Sequence, residues 1–521
     1  MAAAVTETVV PGESAPAVAG SGTTGGAPRP RVPSTGDGPW PAVVPQRLPG
    51  RLRLLLGGGR WNTPSLVRAL TALCLAALLL LAAVAATVLG GARDSIDAIG
   101  HRAAPQAVRA SDLYFALSDM DAQAANLLLV GAAPEDLAKR SPVHDLYEQR
   151  RTQADTDLQQ AAEGDGGDPA GHRAVATVLA QLGRYEALVA RSDLLESQAK
   201  AQPGQPPADA LQAYQQATGL LREQLLPAAD QVAGSNEATV NRDYAGQRSD
   251  LAAGWWWLLA TGLLALLALA GLQYLLTTRF RRLVNPPLAV ATLLTAAGLV
   301  YALALASAAD HQLVVAKSNA YDSVIALSRA RAVAYDSNAD ESRYLSDPSR
   351  AADYEQSFFD KTQSIVRIDG ALLGTYDSRL DGVVATHREN PADVRFGGYL
   401  GDELRNVTFP GEQEAADRVL TTFQAYQKDD AAIRGLNSVG RLTEAIAFDT
   451  GTAPGQSNAD FDLLSTAFGD VIGINQRAFD HAVSQADGDL GPAAAAAAAA
   501  LLLAALALTA AGVRPRLREY R

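Results

Sequence analysis

Four stretches of this chain are long enough and apolar enough to cross a lipid bilayer, and they limit its architecture more than any other feature. A helix needs roughly 20 mostly apolar residues to span about 30 Å of hydrocarbon. Ala69 to Leu89 carries no charge, and neither does Leu251 to Thr278, which opens on Trp255-Trp256-Trp257. A third stretch follows Pro286-Pro287 and ends at Ala309, and a fourth lies between Asp489 and Arg514 around the alanine run Ala493 to Ala500. A single stretch of this kind is commonly a buried helix of a soluble protein, but four in one chain read as spans, placed here at 65–90, 251–278, 287–309 and 490–513.

Arginine sets their orientation. Arg47, Arg51, Arg53, Arg60 and Arg68 precede the first span, Arg279, Arg281 and Arg282 fill the turn between the second and third, and Arg514, Arg516, Arg518 and Arg521 follow the fourth. The positive-inside rule puts all three places in the cytoplasm, with both termini, and makes this a multi-pass plasma-membrane protein. The inner segments then hold 14 Arg against four acids, a net of +10, and the outer ones 30 basic against 52 acidic residues, a net of −22. Acidic outer domains argue against nucleic acid as a partner there, whereas membrane lipids are partners by construction. The tryptophan triplet falls at the outer interface, where indole rings prefer to sit.

Residues 1–62 contain nine Pro and eleven Gly and show no helical or strand period, the composition of a disordered cytoplasmic tail. The remainder reads as one unit used twice: span, outer domain, span. The outer domains are taken as separate, at 91–250 and 310–489, joined through the Arg-rich turn 279–286, with 514–521 as a second cytoplasmic tail. In the first, Leu113, Leu117, Met120, Ala124, Leu127 and Gly131 recur at steps of four and three, a bundle seam. Tyr321, Ile325, Ser328, Ala332, Tyr335, Ala339 and Ser342 keep that spacing in the second. Further helices are expected near 141–163, 170–201 and from 208 into the second span, kinked at Pro227. The fold class is therefore an all-α membrane protein: four transmembrane helices carrying two extracytoplasmic four-helix bundles of sensor type.

An inserted loop at 385–412 breaks the second bundle. Its aromatic and acidic residues Phe396, Tyr399, Asp402, Glu403, Phe409 and Glu412 make it the candidate partner-binding site, with an irregular cap over the bundle end as the plainer alternative. Arg279, Arg281 and Arg282 serve topology and are the candidate cytoplasmic docking site.

Signals for catalysis are missing from the sequence. The six histidines are scattered, and a metal site needs clustered ligands. Acid pairs such as Asp119/Asp121 sit two apart on a helix and do not face one another, so chance in an acidic domain accounts for them. With no nucleotide loop, hydrolase elbow or kinase signature, neither an enzyme nor a cofactor is expected. The lone Cys74 lies in the first span and allows no intrachain disulfide. Within the spans Gln273, Tyr274 and Tyr301 are the notable polar groups, which disfavours ion-coupled transport.

Helical bundles between paired spans resemble bacterial chemoreceptor-type sensor domains, which carry a cytoplasmic output module that this chain does not show. The doubled four-span form, with the opening Leu113-Tyr114-Phe115-Ala116-Leu117-Ser118-Asp119-Met120-Asp121-Ala122, the loop Leu400-Gly401-Asp402-Glu403-Leu404 and Thr408-Phe409-Pro410-Gly411-Glu412, resembles the actinobacterial GlnX-type membrane proteins. Heavy Ala, Gly and Arg usage fits that source. The resemblance implies a non-enzymatic signal relay. In it, a partner solute-binding lipoprotein outside reports amino-acid status, and a soluble serine/threonine kinase or adaptor inside receives it. A structural envelope scaffold is the alternative, an ABC-type permease subunit a weaker one, and a homo-oligomer is compatible with either.

Overall fold

The computed structural model describes residues 63–164, 169–280 and 285–518, and these form one unit. The N-terminal tail, Arg281 and Arg282 lie outside the described residues; Arg279 falls in the last turn of a described helix.

Helices dominate throughout. α1 (Thr63–Ile96) contains the first apolar stretch and leads into bundle 1, made of α2 (Ala104–Val130), α3 (Leu137–Gly164), α4 (Pro169–Ala199), α5 (Ala208–Leu220) and the N-terminal part of α6 (Leu226–Phe280). The rest of α6 is the second apolar stretch, and α7 (Pro286–Val314) is the third. Bundle 2 follows with α8 (Asp322–Ser346), α9 (Ala351–Ile365), α10 (Tyr376–Glu389), α11 (Gly398–Asn406), α12 (Glu412–Ser438), α13 (Leu442–Asp449) and α14 (Ser457–Asp489). α15 (Pro492–Arg518) completes the four helices of spanning length and composition. All four join the bundles at the same end.

The rods are continuous, but not in one register. Three segments are π-helical: Asp97–Ala103, Leu221–Leu225 and Val315–Tyr321. In each, the closing N–H reaches five residues back: Ala104 to Ile99, Leu226 to Leu221, and Asp322 to Lys317. Pro105 and Pro227 explain the first two. Proline offers no N–H to the carbonyl four residues earlier, and a wider turn re-registers the ladder around that gap. The predicted kink at Pro227 is thus a π turn. The first and third segments, each seven residues long, sit at matching places between a span and the first helix of its bundle, as a duplicated unit requires.

The core has storeys. Leu78, Leu258, Leu288 and Leu502 belong to an apolar layer among the spans. There Gly262 lets Leu299 approach so closely that a β-carbon would meet its side chain at 2.5 Å, and Gln273 Nε2 donates to Leu288 O at 3.0 Å and Thr292 Oγ1 at 2.7 Å. Ile99, Leu313, Tyr321 and Phe479 form a layer at the junction with the bundles. Above it, one cluster runs unbroken through both bundles, from Leu117, Val178 and Leu221 to Leu327, Phe423 and Phe468. The two bundles are therefore not separate. α2 and α8 pack along each other, and α13 closes the membrane-distal end over both, with Ile446 lying against Gly204 of bundle 1.

Candidate functional site

Burial explains why the contact between the bundles is polar. Every residue from Phe115 to Ala133 of α2 and its end is buried, and so is Ala334 to Asp347 of α8, except Tyr344. A helix enclosed on all sides has no solvent face for its charges, so each must find a partner inside.

Arg343 of α8 is the hub. Its guanidinium is fully buried and pairs with Asp121 of α2, with Asp340 at 2.5 Å and with Asp336 at 3.3 Å, while its Nε donates to Tyr214 Oη at 2.9 Å. Asp121 also accepts from Tyr185 Oη at 3.1 Å and Thr218 Oγ1 at 2.7 Å, so α4 and α5 converge on the same carboxylate. Lys361 of α9 closes the far side, 2.7 Å from Asp336 and 2.5 Å from Asp340. Arg222, in the π turn of bundle 1, stands 3.7 Å from Asp340. Three carboxylates thus face three cations drawn from both bundles. Burial works against ionised Asp336, yet Lys361, Arg343 and Arg222 hold its carboxyl well below the usual range. Burial pulls the Lys361 ammonium down despite its two carboxylates.

A second link lies beside it. Arg150 Nε of α3 bonds Asp119 at 2.5 Å, and the guanidinium of Arg331 sits 4.5 Å from the ring centre of Phe115. Phe115 meets Tyr335 edge-on at 5.0 Å, and Tyr335 meets Phe461 at 4.8 Å, an aromatic run from one bundle into the other. Asp119 and Asp121, read from the sequence as a chance pair, serve different partners: Asp119 takes Arg150 and Gln123, and Asp121 takes Arg343, Tyr185 and Thr218. The signal that could have found them was an acidic pair inside an otherwise apolar seam.

Carboxyls of another kind gather toward the distal end. Glu341 accepts from Tyr426 Oη at 2.9 Å, but its Oε1 and Asp449 Oδ1 are buried without a hydrogen-bond partner among the described residues. Burial, then Asp430 and Asp449, pushes Glu341 well above its ordinary value; burial and Asp430 lift Asp449 to about 8. Among the described residues, no group of His, Cys, Asp and Glu has the arrangement to hold a metal ion.

The loop singled out from the sequence is more ordered than its lack of period implied. Much of it is α11, held against α8, α9 and α12 at the membrane-proximal end of bundle 2. Phe396 is buried against His387, and Glu403 and Glu412 are buried too. Glu412 Oε2 accepts from the backbone N–H of Thr408 at 2.6 Å and of Phe409 at 2.8 Å, so it shapes its own loop. Tyr399 and Phe409 are half-buried, and Asp402 is exposed, paired with Arg405 at 2.7 Å. Asn406 Nδ2 reaches Ser318 O at 3.3 Å, Asn319 O at 3.2 Å and Ser323 Oγ at 3.0 Å, which fastens this loop to the π turn below α8.

Residues 95–245 match the family described as actinobacterial sensor domain. The match starts at the end of α1, takes in all of bundle 1 and ends within α6, so this bundle is similar to a domain of sensing proteins. No curated protein and no solved structure matches the chain.

Proposed function

We propose that this protein is a non-enzymatic transmembrane relay. It passes an extracytoplasmic nutrient signal, amino-acid status in the first instance, to a cytoplasmic serine/threonine kinase or adaptor. One observation supports this reading above others: each spanning rod runs into a bundle, and the bundles share one core through Arg343 and Asp121. A displacement of helices in the sensor-like bundle is then a displacement of all four spans. Within this reading a solute-binding lipoprotein docks on the exposed side of the loop, at Asp402, Tyr399 and Phe409. Phe396, Glu403 and Glu412 hold that loop in place, and Arg279, Arg281 and Arg282 receive the cytoplasmic partner. Such a partner shifts the spans only by its difference in affinity for their two arrangements.

Photo-crosslinking in living cells tests the proposal, with the reactive residue at 402 on one side of the membrane and at 517 on the other. Recovery of a solute-binding lipoprotein from the first and a kinase or adaptor from the second, both altered by an amino-acid shift, is the expected result. Recovery of neither overturns the relay and leaves an envelope scaffold.

A further inference from the structure

The spans enclose a groove that the relay does not use. It is about 470 Å³ in volume and lies between α1 and α15, with Leu305 of α7 among its walls. Its lining is apolar from Leu79 to Gly90 on α1 and from Ala494 to Leu506 on α15, and the single charge on it is Arg93. The alanines of α15 leave the hollow: side chains of one carbon cannot fill the space beside the leucines of α1.

Its dimensions match one leaflet. From Leu79 to Leu89 is a rise of ten residue steps, about 15 Å at 1.5 Å per residue, and half of a hydrocarbon core of about 30 Å is the same length. Arg93 lies one turn further toward the bundles, at headgroup depth. Arg248, which flanks the second span, has a carboxylate partner in Asp310 at 3.1 Å. Arg93 is exposed and has no such partner among the described residues. A guanidinium presents a planar fork of donors that fits phosphate oxygens.

We propose that this groove is a binding site for one anionic phospholipid of the bundle-side leaflet, its acyl chain between α1 and α15 and its phosphate on Arg93. The full chain in phosphatidylcholine vesicles, doped with phosphatidylglycerol carrying a mid-chain diazirine, tests it. On illumination the adducts should fall on the peptides 79–90 and 494–506, and unlabelled phosphatidylglycerol should compete better than phosphatidylcholine. Arg93→Gln should reduce that preference about fivefold, the usual effect of one basic residue at a lipid surface. Ala86→Phe and Ala495→Trp fill the groove from opposite walls, and each should abolish the adduct at unchanged helicity. Even labelling of all four spans, insensitive to these variants, overturns the proposal. So does ready disulfide dimerisation of an Ala495→Cys variant in a Cys74→Ala background, which would give the groove to a second copy of the chain.

Discussion

Arg343 of α8 and Asp121 of α2 are 222 residues apart in the chain and ion-paired where neither reaches solvent. Buried pairs add little net stability, because desolvation offsets most of the attraction, but removing one partner strands the other charge. The pair therefore acts as a register lock. It holds the two bundles in one alignment and penalises any other.

Arg343→Met should destabilise the chain by about 3–5 kcal/mol, since Asp121 and Asp340 lose their shared cation. Asp121→Asn should cost less, and the two together less than their sum, because the double variant leaves fewer unpaired charges. A double-mutant cycle on detergent-solubilised protein, followed by denaturant unfolding, measures the coupling. Strict additivity would remove the lock.

Stability should fall as pH rises through neutrality. Asp449, lifted to about 8 by burial and Asp430, and Asp430, lifted to about 7 by burial, hold protons in the folded chain that the unfolded chain releases near pH ~4. The unfolded state binds fewer protons across this window, so these two groups give a negative slope, and their contribution is complete above about pH 8. Asp336 acts in the opposite sense, but its contribution is lost only below about pH 4. Asp449→Asn should flatten the decline in melting temperature between pH 5 and 8, and an unchanged slope would count against this origin.

Gly131 ends α2 at φ +76°, and a β-carbon there would lie 2.7 Å from Ala201 O. That backbone atom has no freedom to give way. Gly131→Ala should cost about 1–3 kcal/mol from conformational strain alone. Thermal unfolding checks this beside Gly183→Ala, which meets open space inside α4 and should instead stabilise by about 0.5–1 kcal/mol.

Asn406 supplies donors to carbonyls of the π turn Val315–Tyr321. Asn406→Ala should speed amide exchange in 315–323, with α12 unchanged, and reduce stability by about 0.5–1.5 kcal/mol. Hydrogen-exchange mass spectrometry reads it. Equal protection in both proteins would show that the turn holds itself.

For topology, cysteines at Ala161 and Ser438 in a Cys74→Ala background should react with an impermeant thiol reagent in intact cells. One at Leu517 should react only after the membrane is opened. Labelling of Leu517→Cys in sealed cells would reverse the orientation.

The spans, the two bundles and the seams from Leu113 and Tyr321 follow from the sequence, because hydropathy and a 3.6-residue period are local properties. The shared core does not, because it depends on which helix faces which. Asp121, Asp336, Asp340 and Arg343 look like ordinary surface charges until α2 and α8 are enclosed on every side, and then each charge requires a partner. The loop 396–412 shows the same limit: its residue types announced a feature, while burial of Phe396, Glu403 and Glu412 decided that half of it is packing. Local pattern determined the elements; only the tertiary enclosure decided which polar groups would be forced together.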